Sequence, residues 1–191
     1  MKTTRLLRWT LGSALSLVLA LALGACALHP EPPPRLFDFG PLPSIGAASV
    51  DVGGLVHVVA SEDLDGALMR YRLLYADPRN VLAYRDSRWV SAPAQLLRAR
   101  LLAAKPLMSD GGEAWVELQA FEQEFSAPER SELHLSANVS WERGGVRHGA
   151  QFDVRVNAAA DASGFAAAAG PACDQLTAQV RAAIADTSAR P

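Results

Sequence analysis

Histidine and cysteine are the side chains of this sequence best suited to metal binding or nucleophilic chemistry. The chain of 191 residues contains four histidines, His29, His57, His134 and His148, and two cysteines. A zinc site needs three or four convergent ligands. His134 and His148 fall on opposite phases of two neighbouring predicted strands, and the other two histidines belong to distant segments. The sequence therefore predicts no metal site and no cofactor.

Motifs for catalysis are also missing from the sequence. It contains no G-x-S-x-G elbow, no P-loop and no strand-linked G-x-G-x-x-G. Cys173 precedes Leu176 by three residues, on the apolar side of a predicted helix. This position predicts a small buried hydrophobic residue rather than a reactive thiol. We therefore expect a protein that is not an enzyme; a hydrolase with an unrecognised site is a minor alternative.

The other cysteine, Cys26, ends an export signal. Lys2, Arg5 and Arg8 are followed by an uncharged stretch over residues 9–28, which is the order of features in a secretory signal. The stretch contains Leu-Gly-Ala-Cys at 23–26, which resembles the bacterial lipobox. The resemblance implies cleavage between Ala25 and Cys26, with acylation of Cys26. An uncleaved membrane helix of about 20 residues is the alternative, and it places the remaining chain on the same side of the membrane.

These features divide the chain into three parts. Residues 1–25 are the signal peptide, residues 26–34 are an acylated, proline-rich tether, and residues 35–191 form one domain. Removal of the signal leaves 15 basic and 20 acidic side chains, a net charge of −5. Nucleic acid is therefore not an expected partner. Because acylation consumes Cys26, the mature chain has no second thiol for an internal disulfide.

The first half of the domain predicts short strands. Residues 36–39 form an opening strand, and the compact apolar run at 55–60 predicts a buried strand. Residues 71–75 and 81–85 flank the sequence Asp-Pro-Arg-Asn at 77–80, which predicts a hairpin with its turn there.

Two helices are expected. Ser91 is placed to cap the first helix, with Pro93 in its first turn, and this helix stops near 105–106. The C-terminal region is rich in alanine, but Gly170 and Pro171 interrupt it. We therefore expect the main second helix to begin near Pro171 and to end near residue 185; a short helical lead-in before Pro171 is the alternative to a loop there.

The strongest pattern predicts an antiparallel meander. Every odd position from Leu133 to Trp141 is apolar and every even one is polar, as in a half-buried strand. A Gly-Gly turn at 144–145 leads into a third alternating strand. In the preceding strand the apolar phase switches at Phe121, which predicts a bulge near Ala120. The expected fold class is α+β, with a mainly antiparallel sheet packed by two helices on one face.

A group of arginine and aromatic residues precedes the first helix: Arg79, Tyr84, Arg85, Arg88 and Trp89. Arginine and tryptophan are favoured anchors of protein interfaces. The group predicts a partner surface made by Arg85, Arg88 and Trp89. In the alternative, Trp89 simply packs beneath the helix.

Residues 80–93, with the sequence NVLAYRDSRWVSAP, resemble the ABC-type transport auxiliary lipoproteins, a PqiC-like family. Its members show a strand with an aromatic residue, a few polar residues, a tryptophan and then a leucine-rich helix. The opening strand and the later strands follow in the family's order over about residues 35–185. Two departures are that Gly170-Pro171 interrupts a helix that is continuous in the family, and that Val90-Ser91 replaces a more acidic stretch.

The resemblance implies a non-enzymatic lipoprotein on the periplasmic face of the outer membrane. It would accompany an ABC permease and an MCE-type substrate-binding protein that move lipids or other hydrophobic molecules between the membranes. Ala27, which follows the acylated cysteine, favours the outer membrane over retention in the inner one. The alternative function is a structural chaperone or plug for an outer-membrane β-barrel. The sequence leaves self-association into a homo-oligomer open.

Overall fold

A computed structural model describes residues 32–42, 55–104, 107–108 and 112–188 of the chain. The signal peptide, Ala25, Cys26 and most of the tether therefore lie outside the described residues. The described strands and helices are β1 (Arg35–Phe37), β2 (Val56–Ala60), β3 (Leu68–Leu73), β4 (Asp77–Trp89), α1 (Pro93–Ala103), β5 (Ala114–Ala127), β6 (Arg130–Arg143), β7 (Val146–Ala158) and α2 (Ala162–Ser188), with a 3-10 turn at Glu62–Leu64.

The strands form one mixed sheet in the order β1-β4-β3-β5-β6-β7, and β2 also pairs with β5. The long antiparallel pairs β3–β4, β5–β6 and β6–β7 dominate, which confirms the predicted α+β class. Three parallel pairs were not predicted. β1 runs parallel to β4, and β2 and β3 lie along successive halves of β5. Alternation of side chains shows which face of a strand is buried, but not the direction of its partner.

The core lies between one face of the sheet and the two helices. All five odd-numbered residues from Leu133 to Trp141 are at most 2% exposed, as predicted. They belong to the same buried cluster as Leu97 and Leu101 of α1 and Leu176 and Val180 of α2. The opposite face of the sheet, called the outer face below, carries the even-numbered polar residues of β6.

The predicted bulge in β5 is present. Leu118 pairs with Ala137, whereas Ala120 pairs with Ser136, so Gln119 is the additional residue on β5. A β-strand turns alternate side chains to opposite faces, and one extra residue reverses that phase. The bulge therefore returns Phe121 to the core, where it is 2% exposed.

Two predictions for the first half of the domain need correction. The strand at 55–60 is buried on one face only, since Val56 is 7% exposed but Val59 is 57% exposed. Its alternate side chains lie on the outer face, which neither helix covers. The turn of the β3–β4 hairpin lies at residues 74–76, not at 77–80, because Asp77 already pairs with Leu73.

The start of α1 also differs from the prediction. Ala92, not Ser91, is its N-cap residue, and no side chain caps the helix. The Ser91 hydroxyl instead forms a hydrogen bond with the side chain of Gln95. Pro93 takes the first helical position, as expected, because its missing N–H has no helical partner there.

The second helix is continuous from Ala162 to Ser188, with Pro171 inside it, so the predicted interruption is wrong. The helix begins earlier because Asp161 caps it: Oδ1 of Asp161 accepts a hydrogen bond of 2.6 Å from the backbone N–H of Gly164. Proline removes one helical hydrogen bond. Here the ring of Pro171 is exposed, while Gly170 and Ala172 on either side are buried. Packing of the buried side therefore keeps the helix intact.

Neither α1 nor α2 combines the length and the apolar character that a membrane crossing requires, and this holds for the described residues only.

Candidate functional site

Trp89, one of the three predicted partner contacts, lies in the core. It is 1% exposed, and its ring meets Phe39 and Phe165 edge-on, with centroids 5.2 and 5.1 Å apart. Its Nε1 has no hydrogen-bond partner among the described residues. The residue therefore packs rather than presenting a surface to a partner, which corrects the predicted contact and agrees with the alternative.

The arginines of the same group stay at the surface of β4. The Arg88 guanidinium donates to the backbone carbonyls of Tyr84, Ser87 (2.8 Å) and Arg85 (3.3 Å), all on its own strand. The side chain of Arg79 is 92% exposed and lies 3.5 Å from Asp77. Arg85 is exposed as well. Two of the three predicted contacts, Arg85 and Arg88, are thus placed where a partner could reach them.

Tyr84 points away from those arginines. Its hydroxyl donates a hydrogen bond of 2.6 Å to Oε1 of Gln123, a side chain with no exposed surface. Gln123 in turn donates to Ser131 Oγ and to the carbonyl of Ala159, both at 2.7 Å. Burial is the main cause that raises the pKa of Tyr84, so its phenol stays neutral and donates this bond.

The outer face carries an ionic network that sequence reasoning missed, here called the outer-face cluster. Its members are Arg72, Glu122, Glu124, Glu132, His134, Asp153 and Arg155. Arg72 Nε lies 2.7 Å from Glu122 Oε1, and Arg155 Nη1 lies 2.5 Å from Glu124 Oε2. The two glutamate side chains are only 10% and 11% exposed. Each of these nearly buried carboxylates is therefore neutralised by an arginine, as burial of charge requires.

His134 ties this cluster together across three strands. Its Nδ1 is 2.9 Å from Glu124 Oε1 on β5, and its Nε2 is 2.7 Å from Asp153 Oδ2 on β7. His134 thus bridges β5 and β7 over β6.

The same cluster contains three groups that are able to bind a metal ion. One ligand atom each from Glu122, Glu124 and His134 lie within 4.8 Å of one another. A cation would have to compete with Arg72 and Arg155, which already occupy the two carboxylates. The charges of these two carboxylates are therefore already balanced by the arginines. The arrangement is suited to holding neighbouring strands together.

A signal for this cluster was present in the sequence. The bulge near Ala120, once predicted, puts Glu122 and Glu124 on the same wet phase as the even-numbered residues of β6. The register then pairs Glu122 with His134 and His134 with Arg155. The positions of the histidines alone do not indicate the cluster, because only one histidine takes part.

A second feature of the outer face is a stack around Trp115. The His57 ring lies nearly parallel to the Trp115 ring, with centroids 5.6 Å apart, and the Arg147 guanidinium lies 5.1 Å from the same ring. His57 Nε2 is 3.7 Å from Glu113 Oε2, and both side chains are nearly half exposed. His57 is thus a surface residue. His148 instead stacks on Trp141, with centroids 5.9 Å apart.

Cys173 is a buried thiol, as predicted, with no exposed surface. Burial raises its pKa to about 12. A thiol is a nucleophile only when it is ionised. Cys173 therefore contributes packing rather than chemistry at neutral pH.

A shallow hollow of about 330 Å³ lies beside β1, between the sheet edge and the start of α2. The hollow presents polar and apolar surface in nearly equal amounts, and its lining residues are Leu36, Phe37, Asp38, Gly40, Val90, Ala166 and Ala167. Leu36 is 64% exposed and Val90 is 53% exposed, so large apolar side chains face solvent at this edge.

Solved structures share this fold. One, described only as an uncharacterized protein, matches with a TM-score of 0.62 at 14% identity, over 80% of this chain and 99% of the other. Protein XCC0632 from Xanthomonas campestris, assigned to family DUF330, matches with a TM-score of 0.60 at 15% identity, over 76% and 91% of the two chains. At this identity the likeness shows the fold alone. No protein-family model and no curated protein sequence matches the chain.

Proposed function

We propose that this protein is a non-enzymatic, lipid-anchored accessory of an ABC/MCE-type system that transports lipids or other hydrophobic molecules between the two membranes of a bacterial envelope. The observation that carries the proposal is the order of parts in the chain. A lipobox-like cysteine, Cys26, ends an export signal, and the first strand of a folded domain begins nine residues later at Arg35. In this proposal the lipid-anchored domain docks the transport system at the outer membrane.

Several groups that are suited to catalysis, in the outer-face cluster and at Cys173, have a structural role instead. General-base catalysis needs a histidine nitrogen or carboxylate that is available to a substrate. Both nitrogens of His134 are engaged by carboxylates, and Glu122 and Glu124 are engaged by arginines. Cys173 is buried and un-ionised. These groups stabilise the fold instead of presenting a reactive atom to a substrate.

Two contacts follow from the proposal. Acylated Cys26 holds the protein in the outer membrane, because acyl chains contribute about 0.8 kcal/mol for each buried methylene. The surface of β4 around Arg85 contacts the MCE-type substrate-binding protein of the system. Arg85 is the better probe of this surface because it is exposed, whereas Arg88 is only partly exposed.

The anchor is tested by metabolic labelling with palmitate in cells that express the full chain. Wild type should take up label, and Cys26→Ala should not. Inhibition of lipoprotein signal peptidase should accumulate a precursor that retains residues 1–25. A wild-type protein without label would remove the basis of the proposal.

The partner is tested by placing a photo-crosslinking amino acid at position 85 and, as a control, at position 146 on the opposite edge of the sheet. We expect crosslinks to the substrate-binding protein from position 85 and none from position 146. Crosslinks to an outer-membrane barrel protein would instead favour the chaperone or plug function.

A further inference from the structure

We propose that the β1 edge of the sheet rests on the phospholipid surface, so that the folded domain itself, and not only its acyl chains, contacts the membrane. The contact surface, called the β1 rim, consists of Leu36, Leu68, Arg88 and Val90. This inference rests on the proposed function, because it uses the lipid anchor at Cys26.

The rim is a row of aliphatic side chains with an arginine between them. Arg88 of β4 pairs in register with Leu36 of β1 on one side and with Leu68 of β3 on the other. The three side chains therefore lie next to one another on the same face of the sheet. Leu36 is 64% exposed and Leu68 is 46% exposed. Val90, at 53% exposure, extends the apolar surface into the hollow beside β1.

The charge of Arg88 is not neutralised within the described part of the chain. Its hydrogen bonds all go to backbone carbonyls, of Tyr84, Arg85 and Ser87. An arginine flanked by exposed leucines matches the interface of a bilayer, where phosphate groups lie above the first methylenes of the acyl chains. Anionic headgroups attract such a cation with about 1 kcal/mol per charge. Asp38 also lines the hollow, but its carboxylate accepts a hydrogen bond from the backbone N–H of Gly40 and not from Arg88.

β1 is the first strand of the domain after the anchor. Its first residue, Arg35, follows Cys26 by nine residues, a linker of about 28 Å at about 3.1 Å per residue. A short tether also gives the rim a high effective concentration at the lipid surface, so a weak individual contact is sufficient.

The test compares two valines of similar exposure at opposite ends of the sheet. Val90→Cys and Val146→Cys, 53% and 57% exposed in the wild type, are each labelled with the polarity-sensitive fluorophore NBD in the full, acylated chain. Cys173 remains unlabelled because it is buried. The proteins are reconstituted in vesicles of phosphatidylethanolamine and phosphatidylglycerol, with and without lipids that carry a doxyl quencher.

We expect a blue shift and quenching by doxyl lipid at position 90, and neither at position 146. Replacement of phosphatidylglycerol by phosphatidylcholine, or the change Arg88→Gln, should reduce the quenching. Equal behaviour of the two positions overturns the inference. A blue shift at position 90 without lipid quenching also overturns it, because protein and not lipid then covers the rim.

Mass spectrometry of the same preparations separates this inference from the proposed function. If Cys26 is acylated and position 90 is not quenched, the lipid contact of the rim is wrong while the anchor stands. If Cys26 is not acylated, the proposed function fails and the inference fails with it.

Discussion

The guanidinium of Arg100 and the carboxylate of Asp174 form a bidentate pair that joins α1 to α2. Nε of Arg100 lies 2.9 Å from Oδ1 of Asp174, and Nη2 lies 2.8 Å from Oδ2. Nη1 of Arg100 donates to the carbonyls of Phe39 and Pro41, each at 3.1 Å. The hydrogen bond with Asp174 is the main cause that raises the pKa of Arg100. One side chain therefore fixes the segment after β1 against both helices.

The first prediction concerns the two halves of this pair. Arg100→Met should lower the free energy of unfolding by about 2–3 kcal/mol, because it leaves the buried carbonyl of Phe39 and the partly buried carbonyl of Pro41 without this donor. The carboxylate of Asp174 is 56% exposed, so Asp174→Asn should cost about 1 kcal/mol or less. Urea unfolding followed by circular dichroism measures both. Equal losses would show that the carbonyl bonds of Arg100 contribute little.

The second prediction concerns Gly170. Alanine in a helix is usually better than glycine by about 1 kcal/mol. At position 170, however, a Cβ atom would lie 2.8 Å from the backbone oxygen of Phe39. Gly170→Ala should therefore lower the melting temperature. At Gly66 a Cβ would meet no atom within 4 Å, so Gly66→Ala should leave it unchanged or slightly raised. A stabilised Gly170→Ala protein would contradict the close approach of α2 to the segment after β1.

The third prediction tests whether the outer-face cluster stabilises the fold. Glu124 accepts hydrogen bonds from His134 and Arg155 and is 11% exposed. Glu124→Gln should therefore lower the free energy of unfolding by about 1–3 kcal/mol. Glu132 lies at 3.8 Å from Arg155 and is 43% exposed, so Glu132→Gln should stay within about 0.5 kcal/mol of wild type. Chemical denaturation of both variants at the same ionic strength measures the two free energies of unfolding. If Glu124→Gln leaves the free energy of unfolding unchanged, the cluster does not stabilise the fold.

The fourth prediction is a dependence of stability on alkaline pH. The pKa of Cys173 rises from its ordinary value of 9.0 to about 12 in the folded protein. Between these values the unfolded chain ionises the thiol and the folded chain does not, so stability is lost as pH rises from about 9 to 12. Tyr84, whose pKa is also raised, acts in the same direction.

Cys173→Ala should reduce that alkaline loss of stability, measured as the slope of unfolding free energy against pH. In the wild type, Ellman's reagent at pH 8 should modify the thiol only as fast as the protein unfolds. Rapid modification of the native protein would contradict the burial of Cys173.

The parts of the fold that the sequence predicted are those that depend on neighbouring residues. Alternation placed the odd-numbered residues of β6 in the core, and the phase switch at Phe121 located the bulge of β5. The tight turn at Gly144 and Gly145, with φ angles of 59° and 77°, also follows from local sequence. These features hold because side-chain phase and turn chemistry are set by a few successive residues.

Features that depend on distant residues were missed or, like the burial of Trp89, left as an alternative. The continuity of α2 through Pro171 comes from packing against the sheet, which outweighs the local preference of proline. The burial of Trp89 depends on Phe39 and Phe165, which are remote in sequence. The outer-face cluster needs the register of three strands. No pattern within a single segment contains this information.

The four aromatic rings at the centre of the core connect the beginning of the domain to its end. Phe39 follows the first strand, Trp89 and Phe121 lie in β4 and β5, and Phe165 lies in the last helix; each meets at least two of the others. Phe39 and Phe165 lie 126 residues apart in the sequence, so a growing chain cannot complete this core until the start of α2 has been synthesised. Phe39, beside the first strand of the domain, therefore belongs to a core that only the last helix completes.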